Sequence, residues 1–128
     1  MRIWETHCMD RSPRSRCPIA STLDIVGDRW TLVILRDLLT GKARFSQFLG
    51  SPEKITTNIL TDRLEMMLHA GLVTRSAYQQ HPIRFEYALT RKGEALLPVL
   101  QAMCRWANTH LRGTWTPPNS FMLRKVPL

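Results

Sequence analysis

Between Lys54 and Leu89 the spacing of apolar residues changes period once, and that change limits what this 128-residue chain can fold into. Leu60, Leu64, Met67 and Leu68 recur at intervals of three and four, which places them on one stripe of a helix. Thr56 stands where a hydroxyl accepts from the free amides of a first turn. Gly71 supplies the left-handed backbone that ends such a helix. Beyond it the spacing becomes two: Ile83, Phe85, Tyr87 and Leu89 fall on one side, Arg84, Glu86 and Ala88 on the other. That is a half-buried strand. Residues 72–78 are expected to pair with it, leaving Gln79-Gln80-His81-Pro82 as a polar tip.

Upstream, Arg44-Phe45-Ser46-Gln47-Phe48-Leu49 reads as one or two amphipathic helical turns, closed by Gly50-Ser51-Pro52. Two short helices joined by a tight turn, the second followed by a hairpin, make a winged helix-turn-helix. The fold class expected is mainly α with a small β-hairpin wing. Residues 1–16 read as a basic arm, 17–90 as the winged core, 91–112 as a terminal dimerisation helix and 113–128 as a tail. In the core, Ile19, Leu23 and Val26 share a helical face, and the stretch from Trp30 to Leu39 is apolar almost all round, as in a helix buried mid-domain.

The chain carries 18 Lys and Arg against 10 Asp and Glu, a formal charge of +8. That sign points to a polyanionic partner, nucleic acid ahead of an anionic membrane surface. No apolar run reaches the length of a membrane span and no secretory stretch opens the chain, so a cytoplasmic location and no membrane partner are expected. Cys8, Cys17 and Cys104 are odd in number and widely spaced, which suits neither a disulfide framework nor a zinc site. The sequence contains no G-x-S-x-G, P-loop, G-x-G-x-x-G or H-E-x-x-H motif, and its four histidines are scattered. Neither an enzyme nor a metal or cofactor site is expected.

Away from its stripe, the 56–69 helix opens with Thr56, Thr57, Asn58, Thr61, Asp62 and Arg63. Small donors and acceptors of this kind suit base edges in a major groove: Asn58 can pair with adenine, and the threonines can meet thymine methyls or phosphate. Asp62 must face a cytosine amino group, neutralise Arg63, or stay clear of DNA. Arg63 and Arg44 are expected to clamp phosphate rather than read sequence. On the wing, Arg84 with His81 and Gln80 can reach backbone or minor groove, although Arg84 fits a solvated hairpin charge equally well. A winged helix used only for protein contact is the alternative. It would present an apolar or acidic leading face, unlike the polar, arginine-edged one here.

Thr90 is expected to cap a helix from Arg91 to about Leu111, bent at Pro98. Leu96, Leu100, Met103, Ala107 and Leu111 form a seam on it, flanked by Leu97, Cys104 and Trp106. So broad an apolar surface suggests a partner helix.

The chain resembles the HxlR family of bacterial transcription regulators from Cys17 to about Leu111. The likeness is carried by Cys17-Pro18, Gly27-Asp28-Arg29-Trp30-Thr31, Arg44-Phe45, Ser51-Pro52, Ile59-Leu60-Thr61 with Arg63-Leu64, and Ala70-Gly71-Leu72-Val73. It continues through Tyr87 with Leu89-Thr90, Gly93, and Leu96-Leu97-Pro98. The resemblance implies a homodimer built on terminal helices, with two recognition helices reading an inverted repeat on double-stranded DNA. On a dyad they lie about 34 Å apart, one duplex turn. It also implies that a cysteine at the Cys17 position can detect oxidants or electrophiles. Nearby Arg14 and Arg16 would favour the thiolate, whereas the alternative is an inert thiol under the first helix. A small-molecule effector between wing and dimer helices is equally open.

Overall fold

The computed structural model describes residues 14–127. Most of the expected basic arm, Cys8 with it, lies outside the described residues. Helix α1 (Pro18–Val26) opens with Pro18 in its first turn, where an absent N–H removes no helical hydrogen bond. Its apolar stripe is buried only at its end: Val26 is enclosed, while Ile19 and Leu23 are 72% and 52% exposed. Asp28 then begins α2 (Thr31–Leu39). One oxygen of its carboxylate accepts from the Trp30 and Thr31 amides at 2.9 and 3.0 Å, and the other from the Thr31 hydroxyl at 2.5 Å. These bonds satisfy the first free amides of α2.

Helix α2 is the centre of the molecule. Its Ile34, Leu35 and Leu39 are buried against Phe48 of α3 (Phe45–Leu49) and Leu60, Leu64 and Met67 of α4 (Thr57–His69). Thr56 caps α4 as expected, its hydroxyl accepting from the Ile59 amide at 3.4 Å. Gly71, at φ 75°, reverses the chain behind α4 in a backbone conformation that costs a side chain dearly. The antiparallel strands β1 (Val73–Gln80) and β2 (Ile83–Leu89) follow, pairing Val73 with Leu89 and Gln80 with Ile83. Because Gln79 and Gln80 belong to the ladder, the tip is shorter than expected, His81 and Pro82 alone. Burial along β2 falls off toward that tip, from buried Tyr87 to Ile83 at 56% exposed. Ala43 and Arg44 lie along the free edge of β2, where the Tyr87 amide donates to the Ala43 carbonyl at 2.7 Å.

Beyond the wing the expected continuous helix is two helices, α5 (Arg91–Glu94) and α6 (Leu97–His110). Thr90 caps α5, accepting from the Gly93 amide at 3.1 Å. The chain breaks at Ala95 and Leu96, and Pro98 lies in the first turn of α6 rather than bending an interior. Proline has no N–H to contribute, and a first turn needs none. Two seam residues are therefore spoken for: Leu100 is buried in the core of its own chain, and Leu96 packs against it. Met103 and Leu111 are each 50% exposed and Ala107 is half-buried.

The tail turns back on this framework. Phe121 in α7 (Asn119–Met122) and Val126 pack against the core. The Gln101 amide of α6 donates to the carbonyls of Phe121 and Arg124 at 2.9 and 2.8 Å. The Arg124 guanidinium donates to the Leu39 carbonyl, the last of α2, at 2.7 Å. Among the described residues, no helix is long and apolar enough to cross a membrane.

Gly93 marks the tightest approach between the C-terminal segment and the sheet. A methyl group there would run into the Leu72 carbonyl oxygen and meet the Leu89 side chain at 3.0 Å. Backbone cannot swing aside as a side chain can. Gly93→Ala is expected to destabilise the fold by about 1–3 kcal/mol, read as a lower urea midpoint with an unchanged slope.

Candidate nucleic-acid interface

At the N-terminal end of α4 the apolar stripe faces inward through Leu60 and Leu64, leaving Thr57, Asn58 and Thr61 exposed on the opposite side. Thr61 donates its hydroxyl proton to the Thr57 carbonyl at 2.9 Å, which leaves the oxygen's lone pairs and the methyl group facing solvent. The Thr56 hydroxyl is engaged as the cap. What remains is a flat patch of small polar groups at the positive end of a helix thirteen residues long.

The turn ahead of this patch is held by charge. Asp37 of α2 is 3% exposed and accepts a very short hydrogen bond from the Ser51 hydroxyl. The Lys42 ammonium also reaches Ser51, at 2.9 Å, and lies 3.9 Å from Asp37. Arg36 clasps both Glu53 oxygens at 2.7 and 2.8 Å and contacts Asp37 at 2.9 Å. Ser51 in turn accepts from the Lys54 amide through its carbonyl, and Lys54 sits at φ 58°, outside the ordinary range for a side-chain-bearing residue. Arg36 is held more firmly protonated than usual, first by its hydrogen bond to Glu53, and the same bond lowers the Glu53 pKa. Sequence reasoning missed this network. Its one signal was Asp37 itself, a carboxylate in a helix apolar save Thr31 and Arg36, which must find partners if buried.

Arg63, expected as a phosphate clamp, is paired within the chain. Its guanidinium, 17% exposed, lies 2.6 Å from Asp62 and 3.5 Å from Asp28. Of the three fates weighed for Asp62, pairing with Arg63 is the one observed. Arg44 has shifted allegiance toward the wing: it lies 3.3 Å from Glu86 and 3.8 Å above the ring of Tyr78. Tyr78 is the residue skipped where the strand register shifts between Ala77 and Gln79. His81 and Arg84 are exposed at the far end of the hairpin. The sites expected from sequence thus form two groups, the α4 patch and the hairpin end.

Cys17 is exposed immediately before α1. The Ala20 backbone amide, then that of Ile19, lowers its pKa. Helix start rather than neighbouring arginine is the cause, since Arg14 is paired with Asp24 at 2.6 Å. The thiol is therefore not tucked under the helix within this chain. Cys104 is half-buried on α6. Among the described residues no cluster of His, Cys, Asp or Glu could hold a metal ion.

Two short helices, a stapled turn, an exposed polar leading face and a hairpin packed behind it make a winged helix-turn-helix. The chain belongs to the HxlR-like helix-turn-helix family, whose profile matches residues 25–114. It is 38% identical over 94 residues to the HTH-type transcriptional regulator YdeP of Bacillus subtilis, covering 73% of each chain. Its fold is similar to that of the redox regulator HypR in its reduced form (TM-score 0.68, 32% identity, 75% of this chain and 95% of that one). It is also similar to the reduced form of the transcriptional regulator YodB from B. subtilis (TM-score 0.63, 29% identity, 79% of this chain and all of that one).

Because the Glu53 pKa is lowered on folding, the unfolded chain binds a proton more readily across the window below the ordinary value of 4.5. The contribution of Glu53 is therefore complete at neutral pH and is lost as pH falls through the depressed folded value. Glu53→Gln is expected to cost stability at pH 7 and progressively less toward acid, so that urea unfolding curves of the two proteins converge as Glu53 is protonated.

Proposed function

We propose that the chain is a sequence-specific double-stranded DNA-binding regulator acting in the cytoplasm as a homodimer on an inverted repeat. The observation that carries this reading is the exposed patch of Thr57, Asn58 and Thr61 at the start of α4, held by a turn that is stapled to the central helix. Asn58 offers the paired donor and acceptor that recognise adenine, and Thr57 and Thr61 offer methyl and hydroxyl groups. Thr56 presents α4 by capping it. Asp62 borders the patch beside Arg63. Arg84 and His81 at the hairpin end, with Arg44 behind them, would meet phosphate or the minor groove flanking the site.

Dimerisation is supported by apolar surface that the chain itself leaves uncovered. Ile19 and Leu23 on α1, with Met103, Trp106 and Leu111 on or just past α6, are all at least half exposed. Leu96 and Leu100 would contribute from within, by holding α6 against its own core. Since α1 carries part of this surface and follows Cys17 directly, a change at the thiol would act on the subunit contact. Its exposure and lowered pKa suit an oxidant or electrophile as the effector ahead of a small-molecule ligand. Two similar proteins, HypR and YodB, support that choice through their reduced, oxidised or diamide-treated structures.

Selection from a randomised duplex pool is expected to return a palindromic site with half-site centres about one helical turn apart. On that duplex Asn58→Ala should cost about 1–3 kcal/mol at particular base pairs only, and equal losses on selected and random DNA would remove Asn58 as a reader. At neutral pH, iodoacetamide should label Cys17 faster than a thiol in the urea-unfolded chain, with Cys17→Ser abolishing the fast phase. Labelling no faster than the unfolded thiol would sink the sensor role.

A further inference from the structure

Asp28 occupies the junction between two jobs. Its carboxylate starts α2 by accepting from Trp30 and Thr31, and one of the same oxygens faces the Arg63 guanidinium across 3.5 Å. Both partners are largely covered, the Asp28 side chain at 27% exposure and Arg63 at 17%. Asp62 closes the other side of the guanidinium at 2.6 Å. A cation so flanked has its charge locally answered and little freedom to swing toward a phosphate. It sits, however, on the second turn of α4, one residue behind the buried Leu64 and two beyond exposed Thr61.

We infer that Arg63 is a positioning residue: the Asp28–Arg63–Asp62 cluster sets how far α4 is rotated about its axis, and so which edge of Thr57, Asn58 and Thr61 meets the groove. Apolar packing of Leu60, Leu64 and Met67 fixes which face of α4 turns inward. Since Asp62 is Arg63's neighbour on the same helix, the charged contact that bears on rotation is the one across to Asp28, which ties the planar guanidinium to the start of α2. The anchor at the other end, Asp28, is fixed by its own hydrogen bonds to the start of α2. Helix α1 ends at Val26, so the cluster also joins the helix that follows Cys17 to the helix that carries Asn58. The assignment rests on the DNA-reading role proposed for α4.

The two roles open to Arg63 predict opposite signs for one conservative change. Asp28→Asn keeps a cap acceptor for α2 but withdraws the carboxylate from Arg63. If Arg63 is a phosphate clamp, freeing it adds positive charge at the interface, and affinity for any duplex should rise with a steeper salt dependence. If it positions α4, affinity for the duplex selected by the wild-type protein should fall several-fold while a scrambled duplex binds as well as before or slightly better. Arg63→Gln provides the complement, leaving the Asp28 cap intact. The positioning role expects the preference for selected over scrambled duplex to fall in both single variants and no further in the double variant, because both break the same contact. It also expects the salt slope on scrambled DNA to stay unchanged in Arg63→Gln, where a clamp would flatten it by about one unit. Thermal melts identify any variant that has merely unfolded, since such a protein loses both duplexes together. Tighter binding of the selected duplex by Asp28→Asn, or a flattened slope in Arg63→Gln, overturns the inference. So does an intact preference in both variants while Asn58→Ala abolishes it. An intact preference in all three instead overturns the reading of α4 on which it stands.

Discussion

Asp37 is a carboxylate with almost no contact with solvent, and its partners decide where the rest of the interface lies. A charge withdrawn from water costs several kcal/mol unless it is answered by opposite charge and hydrogen bonds. Here Ser51, Lys42 and Arg36 supply the answer, and Arg36 extends it to Glu53. Every one of these residues lies on α2 or on the connection around α3, so satisfying Asp37 draws the turn before α4 onto the central helix. The left-handed Lys54 that launches α4 is tolerated because both flanks of the turn are tied. Apolar packing gives the domain its bulk stability, and the charged staple gives α4 its starting point. Among the described residues no buried side-chain nitrogen or oxygen lacks a partner, as such a network requires.

The polar groups are sorted by end. One end of the molecule presents α4 and the hairpin; α1 and the outer surface of α6 present apolar groups, with Trp106 at 60% exposure stacked beside His110. A protein that recognises a symmetric site needs both kinds of surface at once, one for the ligand and one for its own copy. Asp28 lies two residues past the end of α1 and faces Arg63 of α4, so the cluster links the two helices.

Much of this was legible in the residues, for a definite reason. Local periodicity reports one helix or strand against one core, so the shift from spacing three-and-four to spacing two across Gly71 located α4 and the wing without any tertiary knowledge. Thr56, Gly71 and Thr90 were equally readable because capping is local chemistry. Contacts that join distant stretches left no such trace. Nothing about Arg36 announces Glu53, and Arg63 looks like any basic residue beside a polar helix face until Asp28 is brought against it. Pattern also could not tell which apolar residues stay uncovered: Leu100 and Met103 look alike in a seam, yet one is core and the other surface. The terminal helix was drawn through Pro98 because its apolar spacing continues across the break at Leu96, where a proline suited to a helix start argued for two pieces.

The tail has a mechanical consequence. It lies past the residues that match the family profile, and it fastens α6 to the end of α2 by three donated hydrogen bonds, two from Gln101 and one from Arg124. Swinging α6 away from the centre would have to break either the two Gln101 bonds that tie it to the tail, or the Arg124 bond together with the packing of Phe121 and Val126 that ties the tail to the core. Lever and fulcrum are therefore one rigid piece. In the homodimer proposed above, a molecule fastened this way would flex, and so change the distance between its two α4 helices, at the seam between the copies.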